Sequence, residues 1–405
     1  MAIRIAHPTQ IIDATIRLTS SKSESNRALI IQALCANTFP IKNLAAAKDT
    51  KTLHKLLSSE EKILDVGHAG TVMRFLTAYL SLQKKEHIIT GSSRMKERPI
   101  KVLVDALRTL GAEIDYLEND GFPPLKIQGN EMEGGSIQID GSVSSQYISA
   151  LLMIAPRFKN GLVIEFKGEV ISRPYINMTV QLMKYFGAEA NWDNNRITVK
   201  SDKYQEKTFT VEADWSSASY WYGITALSKG ASINLLGLKK NSLQGDAVLS
   251  EIYENFGVST TWIEGGINLS KTNHCVSSFN YDFEDCPDIA QTVAVTCAAL
   301  NIKAHFTGLK TLRIKETDRV FAIQTELNQL GYNITVDKDD ILIHQTSLPI
   351  TPNTHNIKTY DDHRMAMAFA PLSLLIPINI EDENVVIKSY PDFWKDLQQV
   401  GFTIN

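Results

Sequence analysis

Apolar and polar positions in this chain alternate in a pattern that repeats. Five times an apolar helical stretch closes on a glycine: Leu110-Gly111, Phe186-Gly187, Phe256-Gly257, Leu330-Gly331 and Val400-Gly401, at intervals of 76, 70, 74 and 70 residues. Each glycine sits where a helix C-cap needs positive φ. An alternating segment such as Tyr332-Asn333-Ile334-Thr335-Val336 follows, with the period of a half-buried strand. Four of the copies then add a turn and a second strand, as in Asp339-Asp340 before Ile341-Leu342-Ile343, or Gly265-Gly266 before Ile267-Asn268-Leu269; the fifth reaches Asn405 first.

Polar helix starts supply a second marker. Ser23, Gly70, Ser145, Ser217, Asp288 and Asp362 stand before or within the first turn of apolar runs, at intervals of 47, 75, 72, 71 and 74 residues. Two markers with one period predict six βαβαββ-like repeats, of which the first is short. Between the helix-like Thr50 to Leu57 and the stretch Asp65 to Thr71 only Ser58 to Leu64 remain. That is room for one strand, Lys62 to Val66, so the first repeat is expected to lack a hairpin that its sisters have. The expected class is α/β: two domains, each of three repeats around a shared helical interior, with the helix N-termini of both facing a common cleft.

Composition narrows the function classes. The 405 residues are 43% hydrophobic and 21% charged with a net charge of −4, a soluble globular balance that gives no general reason to expect nucleic acid or an anionic membrane as partner. Any anion site must be built locally. Cys35, Cys275, Cys286 and Cys297 show neither zinc-site pairs nor the density of a disulfide scaffold, and read as reduced thiols in a cytoplasm. Met1 to Leu18 lacks the apolar core of a signal peptide. The run Met365 to Ile380 is too short to span a bilayer and is interrupted by Pro371, Ser373 and Pro377, so it reads as a buried helix leading into a strand.

The candidate chemistry lies at helix starts and loops. Ser20-Ser21-Lys22-Ser23-Glu24-Ser25-Asn26-Arg27 precedes the apolar run Ala28 to Leu34. Serines there can cap backbone N–H groups, which together with the helix dipole favour an anion, and Lys22 and Arg27 add cations. The same pattern also fits an ordinary capped surface helix. Arg94-Met95-Lys96-Glu97-Arg98 places three cations after an apolar strand and before Pro99, and fits a solvated loop equally well. In Arg313-Ile314-Lys315-Glu316-Thr317-Asp318-Arg319, before the expected helix Val320 to Leu330, Lys315 and Arg319 are four apart and would share one face if helical, with salt bridges to Glu316 and Asp318 as the plain account. Asp288 reads as an N-cap, or as a base if that cap faces a cleft; His363 beside Arg364 reads as structural. No H-E-x-x-H, zinc spacing or P-loop occurs, so neither a metal nor a nucleoside triphosphate is expected.

In their order along the chain, Ser21–Arg27, Ala69-Gly70-Thr71-Val72-Met73-Arg74, Arg94–Pro99, Ser144-Ser145-Gln146-Tyr147, Ser172-Arg173-Pro174-Tyr175, Lys315–Arg319, Asp362-His363-Arg364-Met365-Ala366-Met367 and Lys388-Ser389-Tyr390-Pro391-Asp392-Phe393 resemble the signature stretches of the 5-enolpyruvylshikimate-3-phosphate (EPSP) synthase family. The resemblance implies a two-domain inverse α/β barrel of six βαβαββ repeats, the enolpyruvyl transferase fold. One domain would comprise 1–18 and 215–405, the other 19–214, with hinges near 13–20 and 211–215. It also implies transfer of the enolpyruvyl group of phosphoenolpyruvate to the 5-hydroxyl of shikimate 3-phosphate with release of phosphate and no cofactor, by a cytoplasmic, monomeric enzyme of aromatic amino acid biosynthesis.

By match to the family's motifs, shikimate 3-phosphate would be held by Lys22, Ser23, Arg27, Ser144, Ser145, Gln146, Ser172, Tyr175, Asp288 and Lys315. Phosphoenolpyruvate would be held by Lys22, Gly70, Arg94, Gln146, Arg319, Arg364 and Lys388. Asp288 would take the hydroxyl proton, and Lys22 and Glu316 would serve proton transfer at the methylene carbon. The chain departs from the family at Leu18-Thr19-Ser20-Ser21, where Leu-Pro-Gly-Ser is usual, and at His68, Phe75 and Thr311, where asparagine, proline and asparagine are usual or frequent. Two alternatives carry different expectations. A sister enzyme acting on a UDP-amino sugar would carry a cysteine acid in the Arg94 loop, which has none. A binding protein without activity would not need Lys22, Asp288, Glu316 and Lys388 together.

Overall fold

The computed structural model describes residues 2–346 and 355–405. The chain forms two compact parts: a discontinuous one, Met1–Ser20 with Glu212–Asn405, and an inserted one, Ser21–Val211. Among the described residues the strands form five four-stranded sheets and one two-stranded sheet.

Each four-stranded sheet is one repeat. In Ser278–Asp282, Ala290–Ala299, Lys303–Thr307, Arg319–Gln329, Asn333–Asp337 and Asp340–His344, strand and helix alternate before the closing hairpin. The first two strands pair in parallel across their helical crossover, and the hairpin returns antiparallel, with Ala304 opposite Ile343 and Ile334 opposite Ile343. The glycines that close the second helices, Gly111, Gly187, Gly257, Gly331 and Gly401, all have φ between 77° and 107°, the left-handed cap that the repeat requires.

Two repeats are built from distant segments. Ile11–Arg17 pairs in parallel with Gly230–Leu236, so the first strand of one repeat and its crossover helix Trp215–Leu227 are separated by the whole inserted part. The fifth copy, which ends after one strand, is completed by the N-terminus: Ile3–Ala6 lies antiparallel between Ile378–Ile380 and Thr403–Ile404.

The short repeat does lack its hairpin, but for a different reason from the one expected. Its sheet is only Ile41–Lys42 beside Phe209–Thr210. The strand placed at Lys62 to Val66 forms at Ile63–Asp65 and opens the next repeat, pairing in parallel with Glu86–Thr90. Among the described residues, no segment after the helix Lys48–Leu57 is left to close the first sheet.

The helices that follow first strands are apolar almost all round, the pattern of a buried helix. All of Trp215–Leu227 and His363–Phe369 is buried, as is Tyr147 through Ile154. In the inserted part Gly70–Leu80 packs on Ser145–Ile154, and that helix on Arg173–Tyr185; in the discontinuous part Ala290–Ala299 packs on Trp215–Leu227 and His363–Phe369. The helices that follow second strands, such as Lys101–Thr109, bury one face only (Leu103, Val104, Ala106, Leu107). The run from Met365 to Ile380 is helix, a 3₁₀ segment and then strand. No helix among the described residues is long and apolar enough to cross a membrane.

Candidate active site

In the discontinuous part the starts of three helices bring charge together. Asp288 sits in a 3₁₀ turn, Pro287–Ile289, ahead of the helix Ala290–Ala299, so it is not the N-cap that the sequence suggested, and its carboxylate faces arginine and lysine side chains. Asp318 caps Arg319–Gln329 by accepting from the Phe321 N–H at 3.0 Å, which makes Arg319 the first helical residue. Lys315 lies outside that helix, after the 3₁₀ segment Lys310–Ile314, so Lys315 and Arg319 share no helix face. The chain between them turns, and both reach Asp288.

Arg319 is 2% exposed and is surrounded by carboxylates. Its Nε donates to Asp362 Oδ2 at 2.7 Å, Nη1 to Asp288 Oδ1 at 3.0 Å and Nη2 to Glu316 Oε2 at 2.9 Å. Burial alone would lower its pKa; Asp362, Glu316 and Asp288 outweigh that and hold the guanidinium charged. Asp362 also caps His363–Phe369, its Oδ1 accepting from the Arg364 N–H at 2.8 Å. It is delivered there by Tyr360 and Asp361, consecutive non-glycine residues at φ 53° and 55°, each costing roughly 1–2 kcal/mol of backbone strain. The Tyr360 hydroxyl donates to Glu326 Oε1 at 2.6 Å and holds that bend.

Arg364 grips Asp288 from the other side. Its Nη2 lies 3.0 Å from Asp288 Oδ2, Nη1 donates to the Asp288 carbonyl at 3.1 Å, and Nη2 reaches Ser216 Oγ at 3.3 Å. Lys315 Nζ is 3.8 Å from Asp288 Oδ1. Burial would raise the Asp288 pKa, but Arg364, Lys315 and Arg319 together hold the carboxyl well below the usual range. Lys388 donates to Glu316 Oε1. The structure thus brings together Asp288, Lys315, Glu316, Arg319, Arg364 and Lys388.

The inserted part collects hydroxyls and amides. Ser21 caps Lys22–Leu34 by accepting from the Glu24 N–H at 3.4 Å, so Lys22 and Ser23 are its first residues. Ser144 caps Ser145–Ile154 by accepting from the Gln146 N–H, and the Gln146 amide donates to Thr71 Oγ1 at 3.2 Å, beside Gly70. Gly70 opens its helix without a side-chain cap. A Cβ there would fall 2.5 Å from Arg98 Nη1. Buried Ser172 precedes Arg173–Tyr185 at φ 53°.

Arg27 ties these starts together. It donates to Thr179 Oγ1 at 2.7 Å, to the Ser23 carbonyl at 3.0 Å, and to Ser149 Oγ and the Tyr175 carbonyl at 3.2 Å. Burial pushes its guanidinium down to about 10. Phe75 lies under it, 5.5 Å from the guanidinium carbon to the ring centre. Lys22 Nζ is 3.4 Å from Asp49 Oδ2. Arg94 stands apart from this group: it is exposed and pairs with Glu97 at 2.9 Å. His68 is exposed, its Nδ1 3.0 Å from Ser92 Oγ, and the Thr311 hydroxyl is buried without a hydrogen-bond partner.

Asp49, Asp246 and Ser216 escape a reading of the sequence. Asp49 sits in the first turn of Lys48–Leu57, and an acid there reads as ordinary dipole compensation. Asp246 lies in a 3₁₀ turn, Gly245–Val248, with no charged motif around it. Ser216 stood beside the marker Ser217 with nothing to single it out. Among the described residues no group of acidic, histidine or cysteine side chains could hold a metal ion.

Comparisons with known proteins add independent findings. The family model described as EPSP synthase (3-phosphoshikimate 1-carboxyvinyltransferase) matches residues 53–397. A 3-phosphoshikimate 1-carboxyvinyltransferase of Bacteroides fragilis is 51% identical over 413 residues, covering 100% of this chain and 99% of that one. One from Haemophilus influenzae is 38% identical, covering 97% and 98%. The structure of EPSP synthase from Acinetobacter baumannii superposes with a TM-score of 0.80 at 20% identity, covering 100% and 99%, which supports the fold.

Proposed function

The chain belongs to the EPSP synthase family, and from that premise we propose that the charged cluster around Asp288 and the hydroxyl-rich cluster around Lys22 and Arg27 carry its reaction. The protein is an enzyme. It transfers the enolpyruvyl group of phosphoenolpyruvate to the 5-hydroxyl of shikimate 3-phosphate and releases phosphate. The reaction is an addition followed by an elimination. The hydroxyl oxygen bonds to C2 of the enol while a proton is added at the methylene; phosphate then departs as a proton leaves the new methyl group.

That sequence needs a base at the hydroxyl and an acid at the methylene, then the reverse. The observation that carries the assignment is the position of Asp288, gripped by Arg319, Arg364 and Lys315. A carboxylate so paired is a poor base. When phosphoenolpyruvate takes Arg319, Arg364 and Lys388 for its own charges, Asp288 loses counter-charge beside a new anion, and its pKa rises toward that of a useful base. Binding of one substrate thereby activates the group that deprotonates the other.

Glu316, between Lys388 and Arg319, and Lys22, beside Asp49, serve proton transfer at the methylene carbon. Ser23, Arg27, Ser144, Ser145, Gln146, Ser172 and Tyr175, with Lys315 and Asp288, hold shikimate 3-phosphate. The capped helix starts supply N–H donors suited to its phosphate. Gly70, Arg94 and Gln146 complete the phosphoenolpyruvate site, and Arg94 leaves Glu97 to do so. The domain bounds read from the sequence, 1–18 with 215–405 and 19–214, lie within three residues of the two compact parts, with hinges near 13–20 and 211–215; the enzyme works in the cytoplasm as a monomer without nucleic acid.

The test is phosphate release by the purified full chain with both substrates, each alone, and UDP-N-acetylglucosamine in place of shikimate 3-phosphate. Release that requires shikimate 3-phosphate and phosphoenolpyruvate together is the expected result; release with the UDP-sugar, or none with the pair, overturns it.

A further inference from the structure

Asp246 is a buried carboxyl with no place in the assignments above. It is 5% exposed, its Oδ2 accepts from Ser216 Oγ, and its Oδ1 is buried without a hydrogen-bond partner. The turn that carries it is fixed by its neighbour Gln244, whose Oε1 accepts from the Trp215 N–H at 3.0 Å and whose amide donates to the Ala213 carbonyl at 2.8 Å. The turn is therefore locked to the start of Trp215–Leu227, the helix that carries Ser216. Ser216 in turn lies 3.3 Å from Arg364 Nη2, the same nitrogen that is 3.0 Å from Asp288 Oδ2. One chain of contacts runs from Asp246 through Ser216 and Arg364 to Asp288.

We propose that Asp246 is a positioning residue for the enolpyruvyl transfer: through Ser216 it sets how far Arg364 is shared between two carboxylates, and so how much positive charge Arg364 offers to an anionic substrate. The inference rests on the reading that Arg364 takes phosphoenolpyruvate. Geometry makes the coupling one-sided. Arg364 donates to Asp288 directly but reaches Asp246 only across a hydroxyl, so Asp288 holds the primary claim and Asp246 modulates it.

The groups that face Asp246 decide its charge. Burial raises its pKa most, and the Asp288 carboxylate raises it further; Ser216 and Arg364 oppose, and Asp214, which precedes the Trp215 helix, adds to the rise. The Cys286 thiol also faces it and is itself pushed up, so it stays neutral. The balance lifts Asp246 to about 7. Below that pH a neutral Asp246 leaves Arg364 with one carboxylate to satisfy. Above it the second charge appears, Arg364 is shared between two anions, and its attraction for a third weakens.

The experiment is steady-state kinetics of the full chain and its Asp246→Asn variant, across about pH 5.5 to 9, with kcat and KM measured for both substrates. The phosphate titrations of the substrates are common to both proteins and drop out of the ratio. The wild-type KM for phosphoenolpyruvate, divided by that of the variant, is expected to rise about fivefold to tenfold through neutral pH, while the same ratio for shikimate 3-phosphate stays flat and kcat stays within about threefold.

Ratios that stay flat for both substrates, or that rise equally for both, overturn the proposal, because a merely structural role has no reason to select one substrate or one pH range. If the Asn variant does not fold, Ser216→Ala cuts the same relay from the other side: a KM for phosphoenolpyruvate alone that falls below the wild-type value above neutral pH supports the proposal, and an unchanged or raised one overturns it. Arg364→Gln separates the two readings. If that change leaves KM for phosphoenolpyruvate untouched, the assignment of Arg364 fails whatever the Asp246 profile shows.

Discussion

The two parts of the molecule use one architectural device for two kinds of chemistry. In each, helix starts gather the candidate side chains. The discontinuous part loads them with opposed charges, so that Asp288, Glu316 and Asp362 are matched against Arg319 and Arg364. The inserted part loads them with serines, an amide and a bare glycine, and its buried Arg27 is hydrogen-bonded to hydroxyls and carbonyls. The difference teaches what each part can do. Paired charges can be redistributed when a substrate arrives, and proton transfer needs that; neutral donors have a fixed character, and recognition of a constant phosphate needs that.

Breaking the charged side at its reactive centre has the largest expected effect. Asp288→Asn keeps the shape and removes the base, and turnover should fall by about 10³- to 10⁴-fold, roughly 4 to 5.5 kcal/mol of barrier, with an unchanged circular dichroism spectrum. Near-native turnover would remove Asp288 from its role.

Next comes the contrast between the buried arginines Arg319 and Arg27. Arg319→Gln leaves Asp362 buried at 0% exposure without its cation, an expected loss of about 3 to 5 kcal/mol in urea unfolding. Arg27→Gln breaks hydrogen bonds to neutral acceptors and should cost about 1 to 3 kcal/mol. Equal losses would show that the two parts do not differ in this respect.

Lys22→Met tests whether the inserted part contributes to the chemistry as well as to recognition; kcat is expected to fall about 100-fold with the melting temperature held, as for loss of one general acid. Gly70→Ala is milder. Its methyl would press on the mobile end of Arg98 rather than on backbone, so the fold should hold while KM for phosphoenolpyruvate rises about tenfold.

The smallest expected effect is on the pH dependence of stability. A carboxyl whose folded pKa is raised weakens the folded state increasingly as pH climbs from its unfolded value, about 4, to its folded one, and by a constant amount above that. With Asp246 lifted to about 7, Asp246→Asn should gain stability relative to wild type between these limits and gain no more at higher pH. Melting curves at about pH 5 and pH 8 check the sign, with an expected shift of a degree or two. Asp288, held low, works the other way: its pairing stabilises above its unfolded pKa and is lost in acid.

Sequence alone settled what local physics controls. The five helix-closing glycines adopt the positive φ that their position demanded, because no other residue takes a left-handed cap at so little cost. The six-fold period was legible because helix starts and strand alternation are written within a few residues of one another. The motif residues themselves were readable too, and the capping roles of Ser21, Ser144 and Asp362 are local facts.

What only the tertiary structure decided is which distant groups meet. Ile63–Asp65 looked like the strand of one repeat and opens the next, since strand ownership depends on pairing and not on proximity along the chain. The last repeat is finished by Ile3–Ala6, nearly 400 residues away. Arg319 finds Asp362 across 43 residues, and Ser216 finds Asp246 across 30. A periodic pattern fixes which face of each element is buried, but the partners across that buried interior are set by sheet register and by the order in which the strands close. Those are properties of the assembled chain, and no window of sequence contains them.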